Sequence, residues 1–538
     1  MTETFKTTIE FHQFTEAEGL IVKVANNSRF IIIIVLLSLP LSNLSSVSTF
    51  TSSPSDYGYS FELSQTGIIR GPTVNLVTNH SAMIYWRTEG ITDATVHYGL
   101  NSSLLETMSN ATQDFNHRIV LAGLEIDSTY WYQVSSNGST SSVYSFKTAP
   151  ADGDPFKMIV IGDNRPGMST RQPWVFRQLA GLIVDERPHL VVFTGDYVWE
   201  VQESEEYNTA AWNAFIEISD SMGHYAPLYG VIGNHDDGQQ VAGERRLEYF
   251  FDAFELPNEP DTYYSFDYAG VHFVCLDTEE WGLWSRITGN QYEWLEQDLS
   301  STKYDTKFVF AHQPLYPVSH INSALDTNKE ERDQLQGLFE EKNVTTFFAG
   351  HDHCFNRITV NGVVHLIVGG GGARLYDNPW GGAYNHYLKA VVNSSRIEFE
   401  TINRHSDPMD YYEIPFDTTI EIEIRPFGNE SAKPARTIPE IYFSASPHTA
   451  LYSWDAEANT TELTGLPEIV GIHTLDIYAE NDESVWSHSR YVLNTTAPIT
   501  TNTNTTTVDE SQLVSVVITG VLIGVVGVVV LFILRKRM

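Results

Sequence analysis

Thr345-Thr346-Phe347-Phe348-Ala349-Gly350-His351-Asp352-His353-Cys354-Phe355-Asn356-Arg357 decides the fold of this chain. A short apolar, β-prone run of the kind that forms a buried strand ends at a glycine. Two histidines flanking an aspartate follow at once. Working back toward the N-terminus, the same layout recurs four times. Met158-Ile159-Val160-Ile161 leads into Gly162-Asp163-Asn164-Arg165, and Leu190-Val191-Val192-Phe193 leads into Gly195-Asp196. Tyr229-Gly230-Val231-Ile232 leads into Gly233-Asn234-His235-Asp236, and Phe308-Val309-Phe310 leads into His312. Residues at the carboxyl ends of strands converge on one rim of a sheet, where α/β proteins build their sites. Carboxylate, amide and imidazole donors together suit borderline divalent metals such as Zn, Mn or Fe. One Gly-Asp after a strand is an ordinary turn, but five such segments in order make a candidate metal centre.

Helical candidates alternate with these runs at Trp174 to Asp185, Trp212 to Ser219, Arg245 to Phe254 and Glu330 to Glu340. Residues 155–404 therefore read as a layered α/β (α+β) domain with sheets at its centre. Before it, Ala82-Met83-Ile84-Tyr85-Trp86, Thr95-Val96-His97-Tyr98 and Thr129-Tyr130-Trp131-Tyr132-Gln133-Val134 are short alternating strands, which predict a β-sandwich over 65–150. After it, Thr419 to Ile424 and Thr474 to Tyr478 predict a further all-β, Ig-like domain over 405–493. The chain is thus expected to be multidomain.

Of 538 residues, 68 are acidic and 32 basic, a formal charge of −36. So acidic a surface repels phosphate backbones, which excludes nucleic-acid binding through a basic face. An anionic small substrate then needs a locally positive centre, which metal ions supply. The two cysteines, Cys275 and Cys354, make neither a disulfide scaffold nor a thiolate zinc site, and are expected to be buried free thiols.

The segments at both ends predict that the body of the protein faces outside the cell. Arg29 precedes the apolar run Phe30 to Leu41 and small residues beyond it, the pattern of a secretory signal within 1–48. Leu513 to Leu534 is uncharged and long enough to span a bilayer, and Arg535-Lys536-Arg537 behind it predicts a cytoplasmic tail (535–538). A single transmembrane helix over 512–534, reached through a Thr/Asn-rich stalk at 494–511, would hold the ectodomain at the cell membrane. Asn-x-Ser/Thr acceptors at Asn79, Asn101, Asn110, Asn137, Asn343, Asn393, Asn429, Asn459, Asn494 and Asn504 add the expectation of a glycoprotein.

The order Gly-Asp, Gly-Asp, Gly-Asn-His, His, Gly-His-x-His resembles the calcineurin-like metallophosphoesterases, and the run from Gly350 to Arg357 resembles the last motif of their purple acid phosphatase branch. Trp86, Val96-His97-Tyr98-Gly99, Leu121-Ala122-Gly123-Leu124 and Phe146-Lys147-Thr148 resemble the fibronectin type III-like domain that precedes the catalytic domain in that branch. The resemblance implies two packed sheets flanked by helices and a dinuclear centre of Fe, Zn or Mn. It assigns one metal to Asp163, Asp196 and His353, and the other to Asp196, Asn234, His312 and His351, with Asp196 bridging. A metal-bridging hydroxide would attack phosphorus, with His235 as proton donor to the leaving group. Asn234, His320 and Arg165 would contact the substrate, a phosphorylated small molecule or protein. Monoester hydrolysis is expected ahead of diester or nucleotide hydrolysis.

Two positions depart from the pattern. Arg165 stands where the wider family has a His, either pointing its guanidinium at phosphate oxygens or forming a structural salt bridge. Trp199 stands where the purple branch has a ligating Tyr, so an uncoloured enzyme is expected, with Tyr197, Glu200 or water as the remaining sources of a ligand. A rival reading keeps the fold but not the chemistry: a surface binding or adhesion protein with a decayed metal site.

Overall fold

The computed structural model describes residues 67–239, 244–257, 261–376 and 382–416, three strands between 8 and 35, and strand segments between 422 and 495. The chain divides into two compact units, 1–64 and 65–538. In the first unit Thr8–His12, Leu20–Asn26 and Arg29–Val35 form an antiparallel three-stranded sheet. The β-branched isoleucines after Phe30 favour that strand, so the apolar run read as the core of an export signal begins inside it. Residues 36–41 of that run lie outside the described residues, and so do 496–511 of the stalk and the apolar stretch Leu513 to Leu534. Among the described residues no helix is long and apolar enough to cross a membrane.

In the second unit two sheets carry the chemistry. The first runs in the order Leu228–Gly230, Leu190–Phe193, Phe156–Ile161, His386–Val392, Arg396–Asn403, Pro408–Pro415, Trp486–Thr495, Gly471–Glu480, Thr449–Trp454. Its first three strands are parallel. Their connections pass through the helices Trp174–Glu186 and Glu205–Gly223, as parallel crossovers require. The second runs Tyr264–Tyr268, Val271–Cys275, Thr306–Phe310, Thr346–Ala349, Val363–Val368, Phe355–Val360. Both sheets contribute to one core, with Met158, Val192, Leu388 and Phe399 of the first meeting Phe273, Phe308 and Phe348 of the second. Burial of central strands on both faces is why they read as unbroken apolar runs.

Glu205–Gly223 begins seven residues before its expected start, because Ser204 caps it by accepting from the Tyr207 N–H, with Glu205 and Glu206 in the first turn. Gly289–Ser301 is a helix the hydrophobic pattern missed. It buries only Gln291, Leu295 and Leu299, a stripe too narrow to stand out.

Among the described strands of 405–493, Ile422–Arg425 and Glu440–Phe443 form a two-stranded sheet with each other, while the others join this layer. Pro408–Pro415 pairs with Arg396–Asn403 on one side and with Trp486–Thr495 on the other. The expected boundary at 404/405 therefore falls inside one continuous sheet. Alternation along a sequence marks a strand but not its partner, which is why the two readings differ. Arg357, at the end of the opening motif, ties the sheets together. Its Nε and Nη2 donate to the Asp410 carboxylate at 3.0 and 3.2 Å, and Nη2 also reaches Ser489 Oγ at 3.2 Å and the Arg490 carbonyl at 2.9 Å.

The N-terminal β domain is one antiparallel arrangement whose long strand, Ser81–Gly99, pairs Ile68–Asn75 and Glu106–Ala122 and, through its second half, Thr129–Ser136. Register shifts between Arg87 and Ala94 bend it, and Val74, Ile84, Trp86, Val96, Leu121, Tyr132 and Phe146 form one core. It docks on the catalytic layer through the bidentate pair Arg118–Glu255, both bonds 2.7 Å, and through Tyr132 Oη, which donates to the His224 carbonyl at 2.8 Å.

His365, on the buried strand Val363–Val368, lies with Nε2 2.9 Å from Gln336 Oε1. Burial pushes its pKa down to about 3, while in the unfolded chain it titrates near ~6.5. Below that pH the unfolded state binds a proton that the folded state refuses, so this residue withdraws stability as the medium acidifies. Urea unfolding of wild type and His365→Asn is expected to show the wild-type advantage shrinking by roughly 1.4 kcal/mol for each pH unit below ~6.5. A gap independent of pH between 7 and 5.5 would overturn this.

Candidate active site

The five loops meet at one rim, where three of the acid and imidazole groups sit on left-handed backbone: Asp163 at φ 54°, Asp196 at 61° and His351 at 67°. Such conformations cost about 1–3 kcal/mol each for ordinary residues and concentrate at functional sites. Side chains between the strands hold them. Asp236 accepts from the backbone N–H groups of Gly233, Asp196 and Tyr197, each at 2.8 Å. Asp352 accepts from the N–H groups of Ser319 and His320 at 2.8 and 2.9 Å and lies 2.7 Å from His320 Nδ1. The glycines are there for room. A Cβ on Gly350 would lie 2.4 Å from Asp163 Oδ2, and one on Gly233 would lie 2.4 Å from Asp196 Oδ1.

Asp163, Asp196 and His312 offer ligand atoms within 4.8 Å of one another. His312 Nδ1 lies 2.8 Å from the Thr194 carbonyl, so it carries the proton and donates. The bare Nε2 then faces two further acceptors, Asn234 Oδ1 at 3.0 Å and Asp196 Oδ1 at 3.4 Å. His351 Nδ1 completes that side, 3.0 Å from Asn234 Oδ1 and 3.2 Å from His312 Nε2. On the other side His353 Nδ1 donates to the Arg374 carbonyl at 2.7 Å, which leaves Nε2 bare at 3.5 Å from Asp163 Oδ1. Lone pairs aimed at lone pairs in a buried site are repulsive unless a cation lies between them.

The protonation states agree. Burial lowers the pKa of His312, and lowers those of His351 and His353 further, His353 to about 4 with Arg165 adding to the effect. All three imidazoles are therefore neutral and able to ligate near pH 7. Burial and the neighbouring Asp196 push the Asp163 carboxyl up. Burial opposes ionisation of Asp196 too, but its carboxyl is held below the usual carboxylate range, with the Arg165 guanidinium that donates to it among the causes. Two buried acids that disfavour each other's charge are a further sign of a site completed by cations. The donor set suits metal ions, with Asp163, Asp196 and His312 offering ligand atoms close together and Asn234, His351 and His353 beside them.

The remaining residues surround this centre. His235 Nδ1 is 3.0 Å from Glu200 Oε2, and its backbone N–H donates to Asp196 Oδ1 at 3.3 Å. The His320 ring lies 4.2 Å from that of His351. Arg165 donates from Nε to Asp196 Oδ2 at 2.8 Å and lies over the Trp199 ring at 4.9 Å, so the salt bridge of its two expected roles is the one made here. Tyr197 does not face the metals, since its hydroxyl donates to the Val231 carbonyl at 2.8 Å inside the core. Glu200 is engaged by His235 instead. The other oxygen of Glu200, Oε1, is buried and has no hydrogen-bond partner among the described residues. Both cysteines are buried free thiols.

Sequence reasoning assigned no role to Asp236, Asp352 and Tyr376, and placed Glu200 only among the sources of a metal ligand. The first two stood inside quoted motifs, but their carboxylates serve backbone N–H groups that only the folded loops bring within reach. Tyr376 stacks on His353 at a centroid distance of 4.3 Å, from a segment with no motif of its own.

Residues 156–355 match the family described as calcineurin-like phosphoesterase, and residues 70–148 match the purple acid phosphatase N-terminal domain. Purple acid phosphatase 23 of Arabidopsis thaliana is 27% identical over 323 residues, covering 52% of this chain and 67% of that protein. Purple acid phosphatase 22 of the same plant is 25% identical, covering 48% and 59%. Among solved structures, the purple acid phosphatase PPD1 from yellow lupin (Lupinus luteus) superposes with a TM-score of 0.55 at 18% identity, over 74% of this chain and 79% of that one. This chain spans roughly two-thirds or less of those plant relatives, and at such identity the lupin structure speaks to the fold.

Proposed function

We propose, for a chain that carries a calcineurin-like phosphoesterase domain behind a purple acid phosphatase N-terminal domain, the hydrolysis of phosphate monoesters at this rim. The observation that carries the reading is that Asn234 Oδ1 and Asp196 Oδ1 lie 3.0 and 3.4 Å from His312 Nε2, beside the imidazole of His235. Two bound dications would supply Lewis-acid activation of water and neutralise the charge of the phosphoryl oxygens. The chain's own groups do the rest. Glu200 accepts from His235 Nδ1–H and orients the ring, so that in its doubly protonated form Nε2–H gives its proton to the departing alcohol oxygen. Asp352 orients His320 for a phosphoryl oxygen, and Asp236 keeps Asp196 in its left-handed turn.

The test is metal content together with turnover of p-nitrophenyl phosphate and of its bis ester by the purified protein. Turnover of the monoester is expected to fall about 10²–10⁴-fold in His235→Ala. Glu200→Gln is expected to cost about tenfold, with a shifted pH profile and no change in metal content, since it disturbs only orientation. Absence of bound metal and of turnover across Fe, Zn and Mn would leave the binding-protein reading in its place.

Surface anchoring belongs to the same proposal. It rests on the apolar stretch Leu513 to Leu534 with its basic tail, and on the exposure of the acceptor residues Asn79, Asn101, Asn110, Asn137, Asn343 and Asn459. Membrane fractionation of the full chain with and without 512–538, and glycosidase-induced mobility shifts, decide it.

A further inference from the structure

Beside the metal-ligand cluster lies a cleft of about 300 Å³ lined by Asn234, Asp237, Gln239, Glu279 and Trp284. It opens from Asn234, so it is continuous with the reacting centre and in the size range of small-molecule sites. The larger cavity of about 450 Å³, lined by Asp185, Glu186 and Lys389 among others, shares no residue with that centre. Lys389 there is paired with Glu186 and Glu400.

Three features define what the smaller cleft accepts. Glu279 is 1% exposed. Its Oε1 accepts from Gln313 Nε2 at 2.6 Å and Thr278 Oγ1 at 2.9 Å, while its buried Oε2 has no hydrogen-bond partner among the described residues. A buried carboxyl oxygen without a partner is costly and marks a place for a ligand group. Trp284 is 52% exposed, an aromatic face free to stack. Among the described residues no Lys or Arg lines the cleft. The nearby Arg245 is committed, with Nε 3.1 Å from Asp237 Oδ2 and Nη1 2.8 Å from Asp277 Oδ2.

We propose that this cleft receives the leaving alcohol of the substrate. Its chemistry selects monophosphates whose alcohol carries no charge of its own, lays a planar ring on Trp284 and offers a hydrogen-bonding group to Glu279 Oε2. Nucleoside monophosphates are the class that meets all three conditions. An alcohol bearing further phosphates would meet the acidic side chain of Asp237 and, among the described lining residues, no Lys or Arg, so nucleoside triphosphates are disfavoured although they share the same ring. The inference rests on the phosphoesterase reading above and names its substrate class.

Steady-state kinetics of the metal-loaded protein with adenosine 5′-monophosphate, adenosine 5′-triphosphate and glycerol 2-phosphate provide the test. Wild type is expected to prefer the monophosphate over the triphosphate by tenfold or more in kcat/KM. Trp284→Ala is expected to lower the ratio of adenosine monophosphate to glycerol 2-phosphate about tenfold, since glycerol has no ring to stack. Trp284→Lys is expected to raise the triphosphate-to-monophosphate ratio. Equal use of the two nucleotides by wild type, or a Trp284→Ala effect of the same size on adenosine monophosphate and glycerol 2-phosphate, overturns the proposal. Binding of adenosine alone, followed by tryptophan fluorescence, separates the two levels. If no phosphate ester is turned over, the phosphoesterase reading fails, while adenosine quenching that disappears in Trp284→Ala still identifies the cleft. No quenching in wild type overturns it.

Discussion

The Asp196→Asn variant is expected to lose bound metal and more than ~10³-fold of monoester turnover while keeping its fold. Asp196 is the one side chain shared by both halves of the donor set, with Oδ1 3.4 Å from His312 Nε2 and Oδ2 2.8 Å from Arg165 Nε. Removing one unit charge at about 4 Å from a cation forfeits roughly 4 kcal/mol at an effective dielectric near 20, and a dication doubles that. The backbone has no reason to move. Asparagine tolerates left-handed φ, and Asp236 still accepts from the N–H groups of residues 196 and 197. Metal analysis of the purified variant, with circular dichroism as the check on folding, reads the result. Two metals per chain with turnover intact would remove Asp196 from the bridging role.

The second large effect concerns stability. Asp410→Ala is expected to destabilise the second unit by about 3–5 kcal/mol, because it leaves the Arg357 guanidinium buried without its counter-charge. Arg357 and Asp410 are 3% and 2% exposed, and Tyr412 and Tyr491 flank the guanidinium at 4.5 and 5.7 Å. The double variant Arg357→Met/Asp410→Leu is expected to recover most of the loss, since a buried pair replaced by apolar groups of similar size is often neutral. Urea unfolding of the two variants measures both numbers. A loss below ~1 kcal/mol in Asp410→Ala would show that solvent reaches the pair and that it does not join the sheets.

The candidate ligand residues stood out because their signal is local. Each apolar run is a strand buried on both faces, and each is followed by a polar residue of ligating type where the strand ends. Gly350-His351-Asp352-His353 and Gly233-Asn234-His235-Asp236 carry both features within a few residues. The supporting groups lack that signal. Glu200 is an acid four residues past a Gly-Asp, indistinguishable from a surface acid until His235 arrives from another strand. Tyr376 and Trp284 occupy segments without periodicity, and only the folded rim brings them beside the centre. Arg165 had two readings in the sequence, and its Nε bond to Asp196 selected the salt bridge.

Partnership between distant strands was likewise hidden. The alternation in 405–493 identified strands, but the same pattern serves an independent sandwich or an extension of an existing sheet. What the sequence determined by itself is the kind of element and the kind of atom: which runs are buried strands, which residues can ligate, and how acidic the whole is. The tertiary structure decided which lone pairs face one another, which carboxylates are spent on backbone N–H groups, and that Arg357 joins the motif to strands more than 130 residues away. The division has a physical cause. Periodicity and side-chain type are properties of neighbours along the chain, whereas desolvation and Coulomb energy depend on neighbours in space.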